Sequence, residues 1–188
     1  MVTTTRLYTA EELAKMPTDE PWELWEGELR KVPGAGSKAS GLAHWIGYLL
    51  SFFVVPRDLG HVTGADGSFV LRRDPDVVVV PDVAFTKWEN VPGGEVPDSY
   101  FPGRPDLAVE VKSPSDRRRD IDEKVRLYRD AGVPLVWWVL PEDRSVEVYR
   151  DGQLAATLHE GDALDGGDVL PGFSLPVVDI FRRSQRKG

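Results

Sequence analysis

Residues 105–140 read PDLAVEVKSPSDRRRDIDEKVRLYRDAGVPLVWWVL, and this stretch decides the fold. Its pattern predicts a strand at 106–112, a helix over about 117–131 that stops at Gly132, and a second apolar strand at 134–140. A strand, a crossover helix and a strand in this order imply parallel pairing through a right-handed connection. Parallel strands are covered on both faces, which explains why both segments are so apolar.

Two charged side chains, Glu110 and Lys112, interrupt the first of these strands. Strand side chains alternate between faces, so the two project from one face while the neighbouring valines project from the other. Their Cα atoms lie about 6 to 7 Å apart, and the pair interacts poorly without a third group between them. The pattern therefore indicates a functional site at this strand, with a structural ion pair on a half-exposed strand and no metal as the alternative.

The length and composition predict one globular domain over 1–188. We divide it into an N-terminal helix and hairpin at about 8–36, a core at about 37–150, and C-terminal strands with a tail at about 151–188. The chain has no cysteine and only three scattered histidines, which excludes thiol chemistry and disfavours a histidine-rich metal site. Without a long apolar run or a signal-peptide pattern, we expect a cytoplasmic protein with no membrane span.

The charge of the chain is unevenly distributed. Acidic residues outnumber basic ones by 31 to 23, and the formal charge of −8 disfavours tight, nonspecific DNA binding. The basic residues cluster in the predicted helix and in the tail, at Arg117, Arg118, Arg119, Arg126, Arg129, Arg182, Arg183, Arg186 and Lys187. Screening confines each charge's influence to about 8 to 10 Å, so such patches can bind nucleic acid locally. The alternative is a solvated helix face and tail.

The other segments predict a mixture of helices and mainly antiparallel strands. Thr9-Ala10-Glu11-Glu12 has the spacing of a capping box and predicts a helix over about 10–16. Glu26-Gly27 predicts a hairpin, and Ser40 is expected to cap a mostly buried helix that ends before Pro56. Further strands are predicted at 61–64, 68–73 and 76–85, followed after residue 140 by a hairpin at Asp151-Gly152, another antiparallel strand and a terminal helical turn.

The strand predicted at 76–85 contains Pro81 followed by Asp82. Proline cannot donate a ladder hydrogen bond, so we expect a break or bulge that directs Asp82 away from the regular pleat. Beside the strand of Glu110, the two carboxylates would converge and would need a cation, because buried ions are costly. Mg²⁺ suits such a site, since it takes one or two carboxylates and leaves positions for phosphate oxygens. The alternative for Asp82 is a plain Pro-Asp turn.

Pro81-Asp82 followed by Glu110-Val111-Lys112 resembles the PD-(D/E)XK signature of restriction-endonuclease-like nucleases. The longer segments WELWEGEL, PDLAVEVKSPSDRRRD, EKVRLYRDAGV and VWWVLPEDRSVEVYR resemble a large bacterial family of predicted restriction endonucleases of unknown function. The likeness covers roughly residues 8–180. It implies a restriction-endonuclease-like fold of mixed α/β (α+β) type, with a mixed β-sheet, a βαβ crossover and flanking helices.

The resemblance also implies roles for individual residues. Asp82 and Glu110 match the metal ligands, and Lys112 matches the lysine that holds or deprotonates the attacking water or neutralises charge on the phosphate. Many family members instead carry a lysine in the following helix, at the position of Lys124. Because this chain has both, we expect Lys112 to be the working lysine and Lys124 to be a helper or a surface residue.

Three further residues are weaker candidates. Glu28 matches an additional carboxylate near such sites, and His44 lies at the start of the long helix that is expected to face them, although a polar first-turn residue is the simpler interpretation of His44. Trp88, in the predicted loop 86–104, could stack on a base. The other tryptophans considered are interpreted as core residues: Trp22, Trp25, Trp45, Trp137 and Trp138.

The leading hypothesis is an endonuclease that uses Mg²⁺, or Mn²⁺ as a substitute, to hydrolyse nucleic-acid phosphodiesters, with DNA as the first choice of substrate. Such nucleases often act as homodimers. Two alternatives remain. One is a nucleic-acid-binding or regulatory module that keeps the fold without cutting, and the other is a hydrolase of small phosphodiesters, which an acidic surface would suit better than DNA.

Overall fold

The structure is a computed structural model, and it describes residues 6–17, 21–32, 34 and 36–182. The strands are Trp22–Trp25 (β1), Glu28–Lys31 (β2), Gly60–Thr63 (β3), Phe69–Arg72 (β4), Val77–Val79 (β5), Val83–Lys87 (β6), Phe101–Pro102 (β7), Leu107–Val111 (β8), Leu135–Leu140 (β9), Ser145–Arg150 (β10), Gln153–Leu158 (β11), Ala163–Gly166 (β12) and Leu170–Pro176 (β13). The α-helices are Ala10–Ala14 (α1), Ser37–Val54 (α2), Arg118–Asp130 (α3) and Val177–Phe181 (α4). The predicted basic tail residues Arg183, Arg186 and Lys187 lie outside the described residues.

The strands form two large sheets and one separate hairpin. The first sheet has the order β11-β10-β9-β8-β6-β3, the second has the order β2-β1-β5-β4-β7, and β12 pairs with β13. In the first sheet β8 and β9 are parallel and are joined by α3, whereas the other neighbours are antiparallel. The mixed sheet with a βαβ crossover and flanking helices is therefore confirmed.

The strand predicted at 76–85 is two strands that belong to different sheets. β5 pairs with β1 and β4 in the second sheet, whereas β6 pairs with β3 and β8 in the first. The chain changes sheets at Val80, Pro81 and Asp82, and the predicted break at the proline is confirmed. The prediction of one continuous strand element is wrong, because proline ends the ladder of one sheet before the next begins.

The two faces of the first sheet are covered by different helices. On one face α2 packs through Leu42, Ile46 and Leu50 against a core that includes Leu107 and Val109 of β8. On the other face α3 packs against a core that contains the alternate strand positions Ala84, Ala108, Val136 and Trp138. The period of two along each strand therefore assigns every side chain of β8 to either the α2 face or the α3 face.

Helix α2 begins earlier than predicted. Its N-cap is Gly36 and not Ser40, so Ser40 lies inside the first turns. With the short 3₁₀ turn that follows, Ser37–Arg57 is long and apolar enough to cross a membrane by length and composition, with a mean hydropathy of 1.3. A helix that buries one side against a sheet, as α2 does, passes the same test of length and composition.

Several local predictions are confirmed. Thr9 and Glu12 form the capping box at the start of α1. Glu26 and Gly27 join β1 to β2 with φ of 55° and 82°, a left-handed turn that glycine adopts without strain. The C-terminal hairpin turns at Asp151-Gly152, between β10 and β11, and the chain continues to the terminal helix α4.

Candidate active site

A cleft of about 340 Å³ is lined by residues of both large sheets and of α3. Its polar side chains come from β1 and β2 of the second sheet, from the Val80–Asp82 link, from β8 of the first sheet, and from the β8–α3 loop and α3. The cleft therefore lies where the chain changes sheets, on the α3 face of β8.

Asp82 and Glu110 come together in this cleft because of the register of two strands. Val83 of β6 pairs with Val109 of β8 in antiparallel register, so the residue before Val83 and the residue after Val109 lie beside each other. Both carboxylates line the cleft. Asp82 Oδ2 accepts a hydrogen bond of 2.7 Å from the backbone N–H of Val111, which fixes the aspartate against the end of β8.

The lysine of this site is Lys124, which lies between two buried glutamates. Its Nζ is 2.8 Å from Glu110 Oε1 and 2.8 Å from Glu23 Oε1. Glu23 belongs to β1, and it is fixed by hydrogen bonds from the Val80 backbone N–H to Oε1 (2.8 Å) and from Trp25 Nε1 to Oε2 (2.7 Å). All three charged side chains of this ion-pair network are buried, so the ammonium is held in one place by carboxylates from both large sheets.

Tyr128 is a further buried partner of Glu110. It lies one helical turn after Lys124 on α3, and its hydroxyl donates a hydrogen bond of 2.5 Å to Glu110 Oε1. The side chain is fully buried. One oxygen of Glu110 thus receives both the Tyr128 hydroxyl and the Lys124 ammonium, and Glu110 Oε2 has no hydrogen-bond partner within the described residues.

Burial and like charges raise the pKa values of the acids in the cleft. Desolvation is the main cause that raises the pKa of Glu110 to about 8, and the negative charges of Asp82 and Glu23 add to it, while Lys124 opposes it. Desolvation also raises the pKa of Asp82. Burial alone would lower the pKa of Lys124, but the carboxylates of Glu110 and Glu23 outweigh it and raise this pKa. The ammonium therefore stays charged, and the surplus of acids leaves a proton on Glu110 near neutral pH.

The donors of the cleft fit a hard divalent cation. Three carboxylates, those of Glu23, Asp82 and Glu110, face one ammonium, and Asp82 Oδ1 accepts no hydrogen bond from any described residue. Among the described residues there is no preformed cluster of three His, Cys, Asp or Glu side chains with metal-site geometry. Asp82 and Glu110 are thus a two-carboxylate donor set, which is the number that Mg²⁺ commonly takes.

Lys112 is not among the residues that line the cleft, whereas Lys124 is, so position favours Lys124. β8 ends at Val111, and Lys112 no longer follows the strand alternation that was expected to place it beside Glu110. Its Nζ lies 3.3 Å from Glu142 Oε2 on the surface. The side chain that accompanies the buried acids comes instead from the helix after the strand.

Glu28 and His44 are not in the cleft either. Glu28 is exposed on β2 and lies 3.6 Å from Arg30 Nη2, so the carboxylate that the hairpin contributes to the site is Glu23. His44 is exposed on α2, which covers the opposite face of the first sheet, and the expectation that this helix faces the acids is wrong. Trp88 is partly exposed and bonds Asp58 outside the cleft.

The basic residues of α3 are mostly engaged in surface ion pairs. Arg118 contacts Glu147 at 2.6 Å, Arg126 contacts Glu26 at 3.2 Å, and Arg129 contacts Asp130 at 2.8 Å. Arg117 and Arg119 are exposed at the start of the helix, beside the loop that lines the cleft.

Sequence reasoning missed Glu23 and Tyr128 and ranked Lys124 too low. A signal for two of them was present, because Lys124 and Tyr128 fall at i+3 and i+7 from Ile121, on the same helix face as Val125. A lysine within an apolar stripe is expected to have a buried partner. Glu23 had no comparable signal, since its burial depends on β5 and on the Val80 N–H more than fifty residues away.

Comparisons with known proteins agree with this fold. The model of the Uma2 family, described as "Putative restriction endonuclease", matches residues 10–178. A solved structure, that of "a putative nuclease belonging to DUF820" from Anabaena variabilis ATCC 29413, is similar with a TM-score of 0.80 and 19% identity, over 94% of this chain and 99% of that chain. No curated protein matches the sequence. The chain belongs to the Uma2 family and so to the restriction-endonuclease-like superfamily of nucleases.

Proposed function

We propose that this protein is a Mg²⁺-dependent endonuclease that hydrolyses phosphodiester bonds in nucleic acid, with DNA as the substrate. The observation that carries the proposal is the group of a half-buried Asp82 with the buried Glu110 and Lys124 in one cleft, in a chain of a nuclease family. Structural ion pairs rarely leave a surplus of buried carboxylate beside an open cleft, because the unpaired charge is costly.

Asp82 and Glu110 would hold the cation, using the oxygens that accept no hydrogen bond from the described residues. When bound, Mg²⁺ would supply charge neutralisation at the phosphate and activation of the attacking water. Each carboxylate binds metal in its ionised form, so the elevated pKa of Glu110 makes a proton the competitor of the cation at this site.

Lys124 would act as a fixed positive charge and not as a base. Its pKa is raised by Glu110 and Glu23, so the ammonium cannot accept a proton from water at neutral pH. A charge held by two buried acids needs no reorganisation when negative charge grows on the scissile phosphate, which is the condition for electrostatic stabilisation of a transition state. Tyr128 would position Glu110 through its short hydrogen bond.

The test is a cleavage assay on single-stranded, double-stranded and structured DNA and RNA, with Mg²⁺, with Mn²⁺ and with chelator. We expect cleavage that requires metal, loss of cleavage and of Mg²⁺ binding in Asp82→Ala, and a loss of roughly 10²- to 10³-fold in rate in Lys124→Met, the usual cost of removing one such electrostatic donor. Lys112→Met is the matched control, because the ion-pair partner of this lysine among the described residues is Glu142, which does not line the cleft.

Three results would contradict the proposal. The first is full activity in Asp82→Ala, and the second is an equal loss in the two lysine variants, which would assign the chemistry to a different place. The third is the absence of turnover on every polynucleotide, which would favour a binding or regulatory module of the same fold. Thermal melting of each variant separates loss of function from loss of folding.

A hydrolase of small phosphodiesters is the second candidate, and the formal charge of −8 favours it. The discriminating quantity is salt dependence. Binding of a polynucleotide weakens steeply as salt rises because counterions are released, whereas binding of a small phosphodiester changes far less.

A further inference from the structure

The β1–β2 hairpin presents three chemically different side chains on one face, towards the cleft. Glu23 and Trp25 are two residues apart on β1, and Arg30 on β2 is the direct cross-strand partner of Glu23. All three line the cleft. Leu24, between the two β1 residues, is buried on the opposite face in a separate core cluster. A carboxylate, an indole and a guanidinium therefore stand together at one wall of the cleft.

The indole of Trp25 is attached directly to the acid group. Its Nε1 donates a hydrogen bond of 2.7 Å to Glu23 Oε2, and Glu23 Oε1 is in turn 2.8 Å from Lys124 Nζ. Trp25 is only half-buried although it borders the apolar core. The hydrogen bond at Nε1 therefore fixes the ring of Trp25, which remains partly exposed at the cleft. Glu23 connects this ring to Lys124.

Arg30 lies beside the same ring and is weakly held. Its guanidinium carbon is 5.4 Å from the ring centroid of Trp25, within the range of a cation–π contact. Its acidic neighbours Glu28 and Glu123 lie at 3.6 and 3.9 Å, and the side chain is 46% exposed. Exposed pairs at such distances contribute little, so the guanidinium can exchange them for a phosphate at small cost.

The size of the cleft suits a single nucleotide. About 340 Å³ lies at the low end of the volumes that hold one small organic ligand, so the cleft can hold roughly one nucleotide. An aromatic ring with a neighbouring cation is the combination by which proteins bind single strands, the base stacking on the ring and the backbone meeting the charge.

From this arrangement we infer that the hairpin forms a single-strand subsite, in which Trp25 stacks one unpaired base and Arg30 contacts the adjoining phosphate beside the cleavage site. The inference rests on the proposed nuclease function and specifies its substrate as an unpaired or frayed strand. Duplex DNA would then be cut only where a nucleotide leaves the helix.

The test measures binding of a fluorescent short oligothymidine, its abasic counterpart and a blunt duplex by anisotropy, in chelator so that nothing is cut. We expect Trp25→Ala to weaken oligothymidine binding about tenfold and Trp25→Phe to restore most of it, because phenylalanine keeps a stacking face. Binding of the abasic strand should be the same in Trp25→Ala as in the unaltered protein. Arg30→Gln should weaken binding of both single strands and reduce the salt slope by about one.

Two control variants match these changes away from the cleft. Trp88→Ala removes another partly exposed tryptophan, and Arg57→Gln removes another arginine that lies over an aromatic ring, that of Phe53 at 4.1 Å. Both should bind every probe as the unaltered protein does. Equal binding of oligothymidine by Trp25→Ala would overturn the subsite and show that the indole is structural, while metal-dependent cleavage would still support the nuclease. Preference for the blunt duplex would overturn it too. Failure of the unaltered protein to bind or cut any nucleic acid would instead count against the proposed function.

Discussion

The two faces of strand β8 carry opposite chemistry within five residues. On the α2 face Leu107, Val109 and Val111 belong to an apolar core, whereas on the α3 face Glu110 contacts the Lys124 ammonium and the Tyr128 hydroxyl. Both faces are equally buried. Burial therefore does not distinguish the face that carries the site from the face that forms the core. The difference is that α3 supplies polar partners for the strand, whereas α2 supplies apolar ones.

The largest loss of stability is expected when a charge is moved to the opposite face of β8. Val109→Glu would bury a carboxylate on the α2 face, among the apolar side chains of that core, and we expect a loss of roughly 3 to 5 kcal/mol in the free energy of unfolding. The measurement is urea denaturation. Glu110→Val is the reciprocal control, and it should cost less stability than Val109→Glu, because Lys124 keeps Glu23 as its partner and only the Tyr128 hydroxyl loses its acceptor. Equal destabilisation by the two variants would mean that the faces are not chemically distinct.

The proton on Glu110 gives an effect of intermediate size. Its pKa is raised from 4.5 to about 8 on folding, mainly by burial, so between these values the unfolded chain has released a proton that the folded protein keeps. The free energy of unfolding should therefore fall as pH rises through this window, by on the order of 1 kcal/mol for each pH unit, and level off above it.

Glu110→Gln checks this expectation, because it cannot titrate. The stability of the unaltered protein should decrease relative to that of the variant from about pH 5 to about pH 8, and Mg²⁺ should reduce the difference by binding the ionised carboxylate. Parallel stability profiles for the two proteins would contradict the assignment of the proton to Glu110.

The smallest effect on stability is expected from removing one hydrogen bond on the α3 face, the bond from Tyr128 to Glu110. Tyr128→Phe removes the hydroxyl that donates to Glu110, which should cost about 1 kcal/mol and raise the pKa of Glu110 further, since a donor to its charged form is lost. The pH at which Mg²⁺ binding reaches half its maximum should move upward.

Tyr149→Phe is the matched control, because the hydroxyl of Tyr149 donates to Glu147, an acid that does not line the cleft. It should cost similar stability and leave the midpoint of Mg²⁺ binding unchanged. A shift of that midpoint in both tyrosine variants, or in neither, would contradict the proposal that the Tyr128 hydroxyl specifically affects Mg²⁺ binding through Glu110.

Local patterns predicted the parts of the fold that depend on neighbours in the chain. The α1 capping box and the Glu26-Gly27 turn could be predicted because neighbouring residues specify them, and the β8–α3–β9 unit because its three consecutive segments each have a clear period. The assignment of β5 and β6 to different sheets could not, because it depends on pairing with distant strands. The proline indicated a break but not the direction that the chain takes after it.

The residues of the candidate site also divide into those that local patterns indicated and those that depend on distant strands. Asp82 and Glu110 could be chosen because a proline and a strand mark them, and their register brings them into one cleft. Lys112 was preferred because it matches the lysine of the PD-(D/E)XK signature, but β8 ends at Val111 and the cleft is lined by Lys124 instead. Glu23 and Trp25 were invisible as site residues, because a short alternating strand looks the same whether its polar face meets solvent or a second sheet.

Lys124 forms an ion pair with an acid of each large sheet, Glu23 in the second and Glu110 in the first. Asp82 is the last residue of the link between β5 and β6, and this link joins the two sheets. The ion-pair network that fixes Lys124 is thus assembled by the docking of two layers and is complete in neither alone. If the two layers separated partly, Glu23 would move away from Lys124 while the strand pairing within each layer stayed intact. Metal affinity should therefore be lost before secondary structure is lost.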